Sequence, residues 1–375
     1  MSTSPCSDPR NGAALIGCGR IGVLLENDPL RYKPCTHYGG LTAAGLGAGS
    51  ACDIDGTRLA NFGRRAGIAP QSLYTDFREL LGREKPPLVI IATWTGSHAE
   101  IGIRACAAGA RVIVCEKPMA HNLAHAGALL RACKKSGTRL IVNHERRYDH
   151  RYRKVRDLIA GGTIGEVRSV RASILSSGYR GKSSIREGGG PLMHDGTHMV
   201  DIIRYFFGEI ESVSGEFERR GRKIGYEDRA VAWLRTRSGV DVFLEAGGNR
   251  RYFMFDLDIS GSDGRIVIGN GYQRLYRSRK SRLYAGFRDL AEVPFPKTRE
   301  RNCFTEVYRQ ARAALSGKEV DILSSGEDGY RAVEAIHAVY YSAHIRKKID
   351  LPLTPAKVDL DAIFSLRSGK REPET

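Results

Sequence analysis

No apolar run in the chain approaches the roughly 18 residues of a membrane span, so no transmembrane segment is expected. The opening MSTSPCSDPRNG is polar and lacks the apolar core of a signal peptide. Neither CxxC nor HExxH occurs, and several of the eight cysteines (6, 18, 35, 52, 106, 115, 133, 303) fall inside apolar stretches. That argues against a zinc site or a disulfide framework, and for reduced thiols in a cytoplasmic protein. Acidic residues are scarce, 42 against 59 Lys and Arg, for a net charge of +17. Such a surface attracts anions, among them nucleotides, phosphosugars, acidic sugars and nucleic acid. The densest basic stretch, Tyr272 to Arg288, carries Arg274, Arg277, Arg279, Lys280, Arg282 and Arg288 without an acid, interleaved with Tyr276, Tyr284 and Phe287. No helix-turn-helix or zinc-finger context surrounds it, so nucleic acid is not the expected partner.

What is present is ordinary globular material: 375 residues, 41% hydrophobic and 27% charged, enough for about two domains. Up to about residue 145, continuous apolar runs (Ala13 to Ile16, Leu88 to Ala92, Arg111 to Cys115, Arg139 to Val142) alternate with helix-like segments such as Arg58 to Ala66, His98 to Ala108 and Leu123 to Ser136. Unbroken apolar strands between helices predict a parallel sheet covered on both faces, a doubly wound α/β domain. Beyond residue 150, strand-length segments alternate polar and apolar, as in Asp241, Val242, Phe243, Leu244 and Glu245. They predict a mainly antiparallel sheet with one face covered. The expected division is 10–145 and 146–355, with disordered tails at 1–9 and 367–375.

The first strand runs into Gly17-Cys18-Gly19-Arg20-Ile21-Gly22, a GxGxxG in the strand–turn–helix setting of a dinucleotide site. The first glycine permits the turn, the second lets a pyrophosphate approach, and the third allows helix and strand to pack. The ribose-binding acid is read as Asp53, which ends the second strand 31 residues past Gly22. About 20 is usual, so Leu25 to Thr36 is read as an insertion. Asp53 would bind ribose hydroxyls and repel a 2′-phosphate, favouring NAD. Arg58 nearby leaves NADP possible. Thr93 and His98 follow the next apolar run, and Glu116-Lys117-Pro118 the one after, at the strand ends where such folds bind ligands.

The densest polar cluster is GGGPLMHDGTHMVD, 188 to 201. A helix starting near Asp195 puts His194 and His198 one turn apart. A neutral imidazole is suited to take a proton from a hydroxyl. The pair also has zinc-like spacing, but with no HExxH in the chain no catalytic metal is expected.

Together, GCGRIG, Asp53, EKPMA (116 to 120) and the Gly–His–Asp segment resemble the Gfo/Idh/MocA oxidoreductase family, the glucose–fructose oxidoreductase and inositol dehydrogenase group. Arg147 with GGTIGEV (161 to 167), SGSDGRIVI (260 to 268) and DGYRAVEAIHAVYYSA (328 to 343) agree. The resemblance spans about residues 12 to 352. It implies a Rossmann domain followed by an α/β domain with a large open, mainly antiparallel sheet. It also implies oxidation or reduction of a sugar or polyol hydroxyl with NAD(P). By motif position Lys117 is the catalytic lysine and His198 the acid/base, while Thr93, His98, Glu116 and Lys117 line the nicotinamide side. The family commonly has Asp where this chain has His194, so the proton relay is expected through His194 or the neighbouring Asp195. Trp94 replaces the usual Pro.

The function this implies is hydride transfer between NAD(P) and a sugar, polyol or sugar derivative, and the net positive charge suits an anionic one. Glycoside cleavage by transient oxidation and a nucleotide-sensing regulator are the alternatives, the latter disfavoured by the presence of both Lys117 and His198. A homo-oligomer, dimer or tetramer, is expected from the free face of the sheet.

Overall fold

The computed structural model describes residues 12–176, 189–219, 226–298, 302–354, 358 and 360–366. The tails expected at 1–9 and 367–375 lie outside them. Contacts divide the chain into two compact units, Met1–Asp149 with Glu300–Tyr330 and His150–Arg299 with Arg331–Thr375.

The first unit holds β1 (Ala13–Ile16), β2 (Ala48–Cys52), β3 (Leu73–Tyr74), β4 (Leu88–Ile91), β5 (Val112–Cys115) and β6 (Arg139–Val142). They form a sheet in the order β3-β2-β1-β4-β5-β6, parallel throughout. The apolar runs AALI, LVII and VIVC are buried at every position, as strands covered on both faces must be. The short β3 was not anticipated, so the runs ending at Ala92 and Cys115 are the fourth and fifth strands in chain order. The helices are α1 (His37–Ala43), α2 (Gly56–Ala66), α3 (Phe77–Glu84), α4 (Thr95–Ala107) and α5 (Leu123–Ser136). Side chains of Thr36, Asp55, Asp76 and Asn122 accept from backbone N–H groups in the first turns of α1, α2, α3 and α5, satisfying donors that have no partner within the helix.

The expected insertion is visible in the hydrogen bonds. A first helical turn follows the glycines, with Val23 N–H on the Gly19 carbonyl (2.9 Å) and Leu25 N–H on Arg20 (2.8 Å). The chain then leaves through a short 3-10 segment, Leu24–Asn27. It re-enters at α1, where His37 N–H bonds the Ile21 carbonyl and Tyr38 N–H the Gly22 carbonyl, both at 3.0 Å. With the twelve residues Leu25 to Thr36 taken out, both bonds would have α-helical i→i−4 spacing. The excursion is pinned by Glu26 Oε2, which accepts from the Cys35 N–H (3.1 Å) and the Thr36 hydroxyl (2.6 Å).

The second unit starts with α6 (His150–Ala160), then β7 (Val167–Leu175), α7 (Pro191–His194), α8 (Gly196–Phe207), β8 (Ile210–Glu218), β9 (Arg229–Thr236), β10 (Asp241–Gly247), β11 (Met254–Gly261), β12 (Gly264–Gly269), β13 (Tyr272–Lys280) and β14 (Arg288–Val293). Its nine-stranded sheet, ordered β14-β13-β12-β11-β7-β10-β9-β8-β15 with β15 at Ile349–Asp350, is antiparallel except where β10 runs parallel to β7. On β10, Val242, Leu244 and Ala246 are buried while Phe243 is exposed, the alternation of a half-covered sheet. The basic stretch from Tyr272 supplies β13 and pairs with both β12 and β14.

The chain ends with α9 (Cys303–Leu315), α10 (Gly326–Ile345) and α11 (Leu360–Leu366). Here the structure departs from the expected division at 145/146, because Glu300–Tyr330 belongs to the first unit. Val307, Tyr308 and Ala311 of α9 join Leu15, Ile90 and Val114 in one core. Arg147 fixes the return through the Leu323 carbonyl and the Asp328 carboxylate, each at 3.0 Å. No single element announces this, since α9 alone is simply an amphipathic helix.

Candidate functional site

Each unit carries one set of the expected residues. In the first, β1 ends at Gly17, whose φ of +100° suits glycine. A Cβ there would stand 2.5 Å from the Ala92 carbonyl oxygen, and one at Gly22 would run into the Gly17 carbonyl. A Cβ at Gly19 would have only Arg58 Nη1 within 4 Å, at 3.6 Å. Two glycines are therefore required by packing, and the middle one leaves open room where a phosphate needs it. Arg20 is exposed and Ile21 half-buried in the turn that follows.

Asp53 is buried at the end of β2. Its Oδ2 accepts from the Cys18 N–H at 2.8 Å and lies 3.5 Å from Arg58 Nη1, and its Oδ1 accepts from the Asp55 N–H at 2.9 Å. The acid thus touches the glycine loop directly, and the fit to a dinucleotide is good: open space at Gly19, the start of a helical turn beside it, and a carboxylate for ribose.

Two strands further along, Thr93 follows β4 and Glu116-Lys117 follows β5. Thr93 Oγ1 pairs with Ser97 Oγ at 2.7 Å. Lys117 is half-buried, and Trp94 is 64% exposed. His98 bridges these strand ends, its Nδ1 at 2.9 Å from the Pro118 carbonyl and its Nε2 at 3.0 Å from that of Thr93. Burial pushes its pKa down, against the pull of the two carbonyls. Expected to line the nicotinamide side, His98 turns both ring nitrogens to backbone carbonyls, and its neutral ring donates to one of the two. Glu116 is also almost buried, with Oε1 facing His37 and Asn143 and Oε2 accepting from the Lys117 N–H at 3.2 Å. Burial opposes its charge, but His37, Lys117 and Asn143 outweigh it and bring the carboxyl down to about 2.

In the second unit, Pro191 opens α7, where its missing N–H costs nothing, and Asp195 joins α7 to α8. The helix expected near Asp195 is thus two: His194 closes the first and His198 lies in the opening turn of the second. His194 Nδ1 lies 3.0 Å from Asp195 Oδ1, so these two are a pair. His198 is nearly buried, its N–H on the Asp195 carbonyl at 3.2 Å.

Glu227 was not anticipated. It is wholly buried beneath this segment, with Oε1 accepting from the Leu192 N–H at 2.8 Å and Oε2 in the space a Gly190 side chain would need. Burial raises its pKa to about 7 despite the Leu192 N–H. The only sequence signal is a Glu-Asp pair just before a strand, which is too common to single out. Among the described residues no group of three His, Cys, Asp or Glu is placed to hold a metal ion, and no helix is long and apolar enough to cross a membrane.

Comparison with known proteins gives two family-model matches. Residues 12–144 match an oxidoreductase family with an NAD-binding Rossmann fold, and residues 152–267 match the GFO/IDH/MocA C-terminal domain. The chain is 28% identical to a D-apiose dehydrogenase of Paraburkholderia graminis over 380 residues, 98% of this chain and 96% of that protein. It is 31% identical to an inositol 2-dehydrogenase of Gluconacetobacter diazotrophicus over 252 residues, 64% of this chain and 68% of that one. In fold it resembles the WlbA dehydrogenase of Bordetella pertussis, crystallised with NADH and UDP-GlcNAcA, with a TM-score of 0.76 at 24% identity, covering 93% of this chain and 100% of that one.

Proposed function

The chain belongs to the GFO/IDH/MocA family of NAD-binding oxidoreductases, and we propose that within it the protein transfers hydride between NAD(H) and a hydroxyl-bearing carbon of a sugar, polyol or sugar derivative, using Lys117 and His198. The observation that carries this reading is the open Gly19 turn with Asp53 hydrogen-bonded to the same loop. The names of the inositol and apiose dehydrogenase relatives support the substrate class.

Bound NAD+ supplies the hydride acceptor. His198 takes the hydroxyl proton of the substrate, and the paired His194 and Asp195 orient the substrate or its neighbour. Lys117 donates a hydrogen bond to the substrate oxygen that gains charge and stabilises it. NAD is favoured over NADP because the Asp53 carboxylate meets a 2′-phosphate with like charge. The exposed side of the second sheet, where the tilted rings of Trp233 and Phe243 meet at 5.0 Å between the Arg229–Glu245 and Arg235–Asp241 ion pairs, supports a homo-oligomer. Free cysteines throughout the described residues support the cytoplasm.

NADH formation with myo-inositol, D-apiose and a panel of sugar acids and nucleotide sugars tests the reading. Lys117→Ala should keep NAD affinity while turnover falls about a hundredfold or more, the loss expected for a transition-state donor. His198→Asn should remove the acid limb of the pH–rate profile along with most activity. Failure of the unmodified protein to bind NADH would overturn the proposal.

A further inference from the structure

A buried polar chain stands behind Glu116. His37 Nε2 lies 2.8 Å from Glu116 Oε1, which also accepts from Asn143 Nδ2 at 2.6 Å. His37 Nδ1 lies 2.6 Å from the Tyr308 hydroxyl. His37 and Tyr308 are 0% exposed. The partners come from the start of α1, the end of β5, the end of β6 and the middle of α9, and α9 lies beyond both family-model stretches. Phe304 holds the His37 ring edge-on at 5.6 Å.

The proton positions follow from chemistry. An ionised carboxylate only accepts, so His37 Nε2 carries the hydrogen. In the neutral form of the ring, Nδ1 is then left to accept from the Tyr308 hydroxyl. Tyr308 thereby fixes the tautomer that His37 needs to hold Glu116. The remaining titratable groups around Glu116 are Cys115 and Lys117 beside it, His98 of α4 and Glu145 after β6.

Sheet order says what this charge faces. Asp53 ends β2, on one side of β1, while Glu116 follows β5, two strands away on the other side. A dinucleotide laid across the switch point with its adenosine ribose on Asp53 sends its nicotinamide half toward β4 and β5. The oxidised nicotinamide ring is a cation and the reduced ring is neutral. We propose that His37 and Tyr308 are positioning residues that keep Glu116 as a fixed negative charge at the nicotinamide end of the site, favouring NAD+ over NADH. The inference rests on the NAD reading above and assigns to two buried residues a role in cofactor redox preference.

The test measures dissociation constants for NAD+ and NADH on the full chain from about pH 5 to 8, by calorimetry and nucleotide fluorescence. The unmodified protein should show a preference ratio independent of pH. Glu116→Gln should shift the ratio toward NADH by about tenfold, the scale of one charge at contact distance in a partly screened site. His37→Leu leaves a buried carboxyl short of a donor, so its ratio should become pH-dependent and approach that of Glu116→Gln on the acid side. His37→Gln, whose amide nitrogen can reach the Nε2 position, should restore the flat profile, and Tyr308→Phe should lie between. Equal loss of affinity for both nucleotides in His37→Leu, or an unchanged ratio in Glu116→Gln, overturns the proposal. If His37→Leu fails to fold, His37→Gln and Tyr308→Phe decide by the same ratio. An unmodified protein that binds neither nucleotide defeats the dehydrogenase reading, and the nucleotide preference with it. The hold on the carboxylate is then judged by melting alone. Stability of His37→Leu should fall more steeply than that of the unmodified protein as pH rises through the neutral range, and adding Glu116→Gln should abolish the difference. An excess slope that persists refutes the hold itself.

Discussion

Asp53 divides its carboxylate between the chain and whatever occupies the loop above it. Cys18 and Asp55 N–H groups already bind it, so Asp53→Ala should lower the melting temperature as well as narrow the gap between NAD and NADP affinity. Tighter binding of NADP by the unmodified protein would reverse the assignment and point to Arg58, whose Nη1 is 3.5 Å from the acid. Glu227 makes the opposite demand. Its pKa is raised from 4.5 to about 7, so the folded state holds a proton that the unfolded chain releases sooner. The contribution of this group to stability should therefore be complete below about pH 4.5 and be lost as pH rises to about 7, roughly 3 kcal/mol in all. Glu227→Gln should flatten that decline, and a thermal melt series across this range checks it. Residues of the first kind were legible because GxGxxG and the acid after the second strand form a spaced motif. Glu227, His37 and Tyr308 were not, because each acquires meaning only from a partner far away in the chain.

Elements with a clean period were readable to within a residue or two. The bounds of β1 and β6 coincide with the runs Ala13 to Ile16 and Arg139 to Val142, and α5 starts and stops at Asn122 and Gly137, an N-cap and a left-handed C-cap. Tyr272–Lys280 was not read as a strand, because arginines and tyrosines hid its alternation. It belongs to the sheet by its backbone pairing with β12 and β14, while its side chains stay largely in solvent. The insertion is the element whose geometry says most. Because His37 and Tyr38 bond back to Ile21 and Gly22, joining Leu24 to His37 should yield one continuous helix. We expect the excised protein to fold, to melt within a few degrees of the parent and to bind NADH unchanged. Loss of nucleotide binding with the fold intact would show that Leu25 to Thr36 serves the site, not merely the surface.

For the molecule as a whole, the second sheet leaves Trp233 50% and Phe243 47% exposed on one face. Charged neighbours on the same strands are already matched in pairs, so in the oligomer proposed above the apolar pair is the part that a second copy would cover. Sedimentation should find an oligomer, and Trp233→Glu with Phe243→Glu should dissociate it without altering NADH affinity. A monomeric parent protein would refute the assignment of this face.

The return of α9 to the first unit has a cost in time. Tyr308 meets His37 across 271 positions of sequence, and its neighbours Val307 and Ala311 complete the core around Leu15 and Ile90. A ribosome elongating at roughly 5–20 residues per second delivers α9 about ten to thirty seconds after the N-terminal sheet has emerged. For that interval the nascent nucleotide-binding half waits with an apolar flank uncovered, a natural client for a chaperone. Any fragment ending near residue 150 should remain in that state and aggregate.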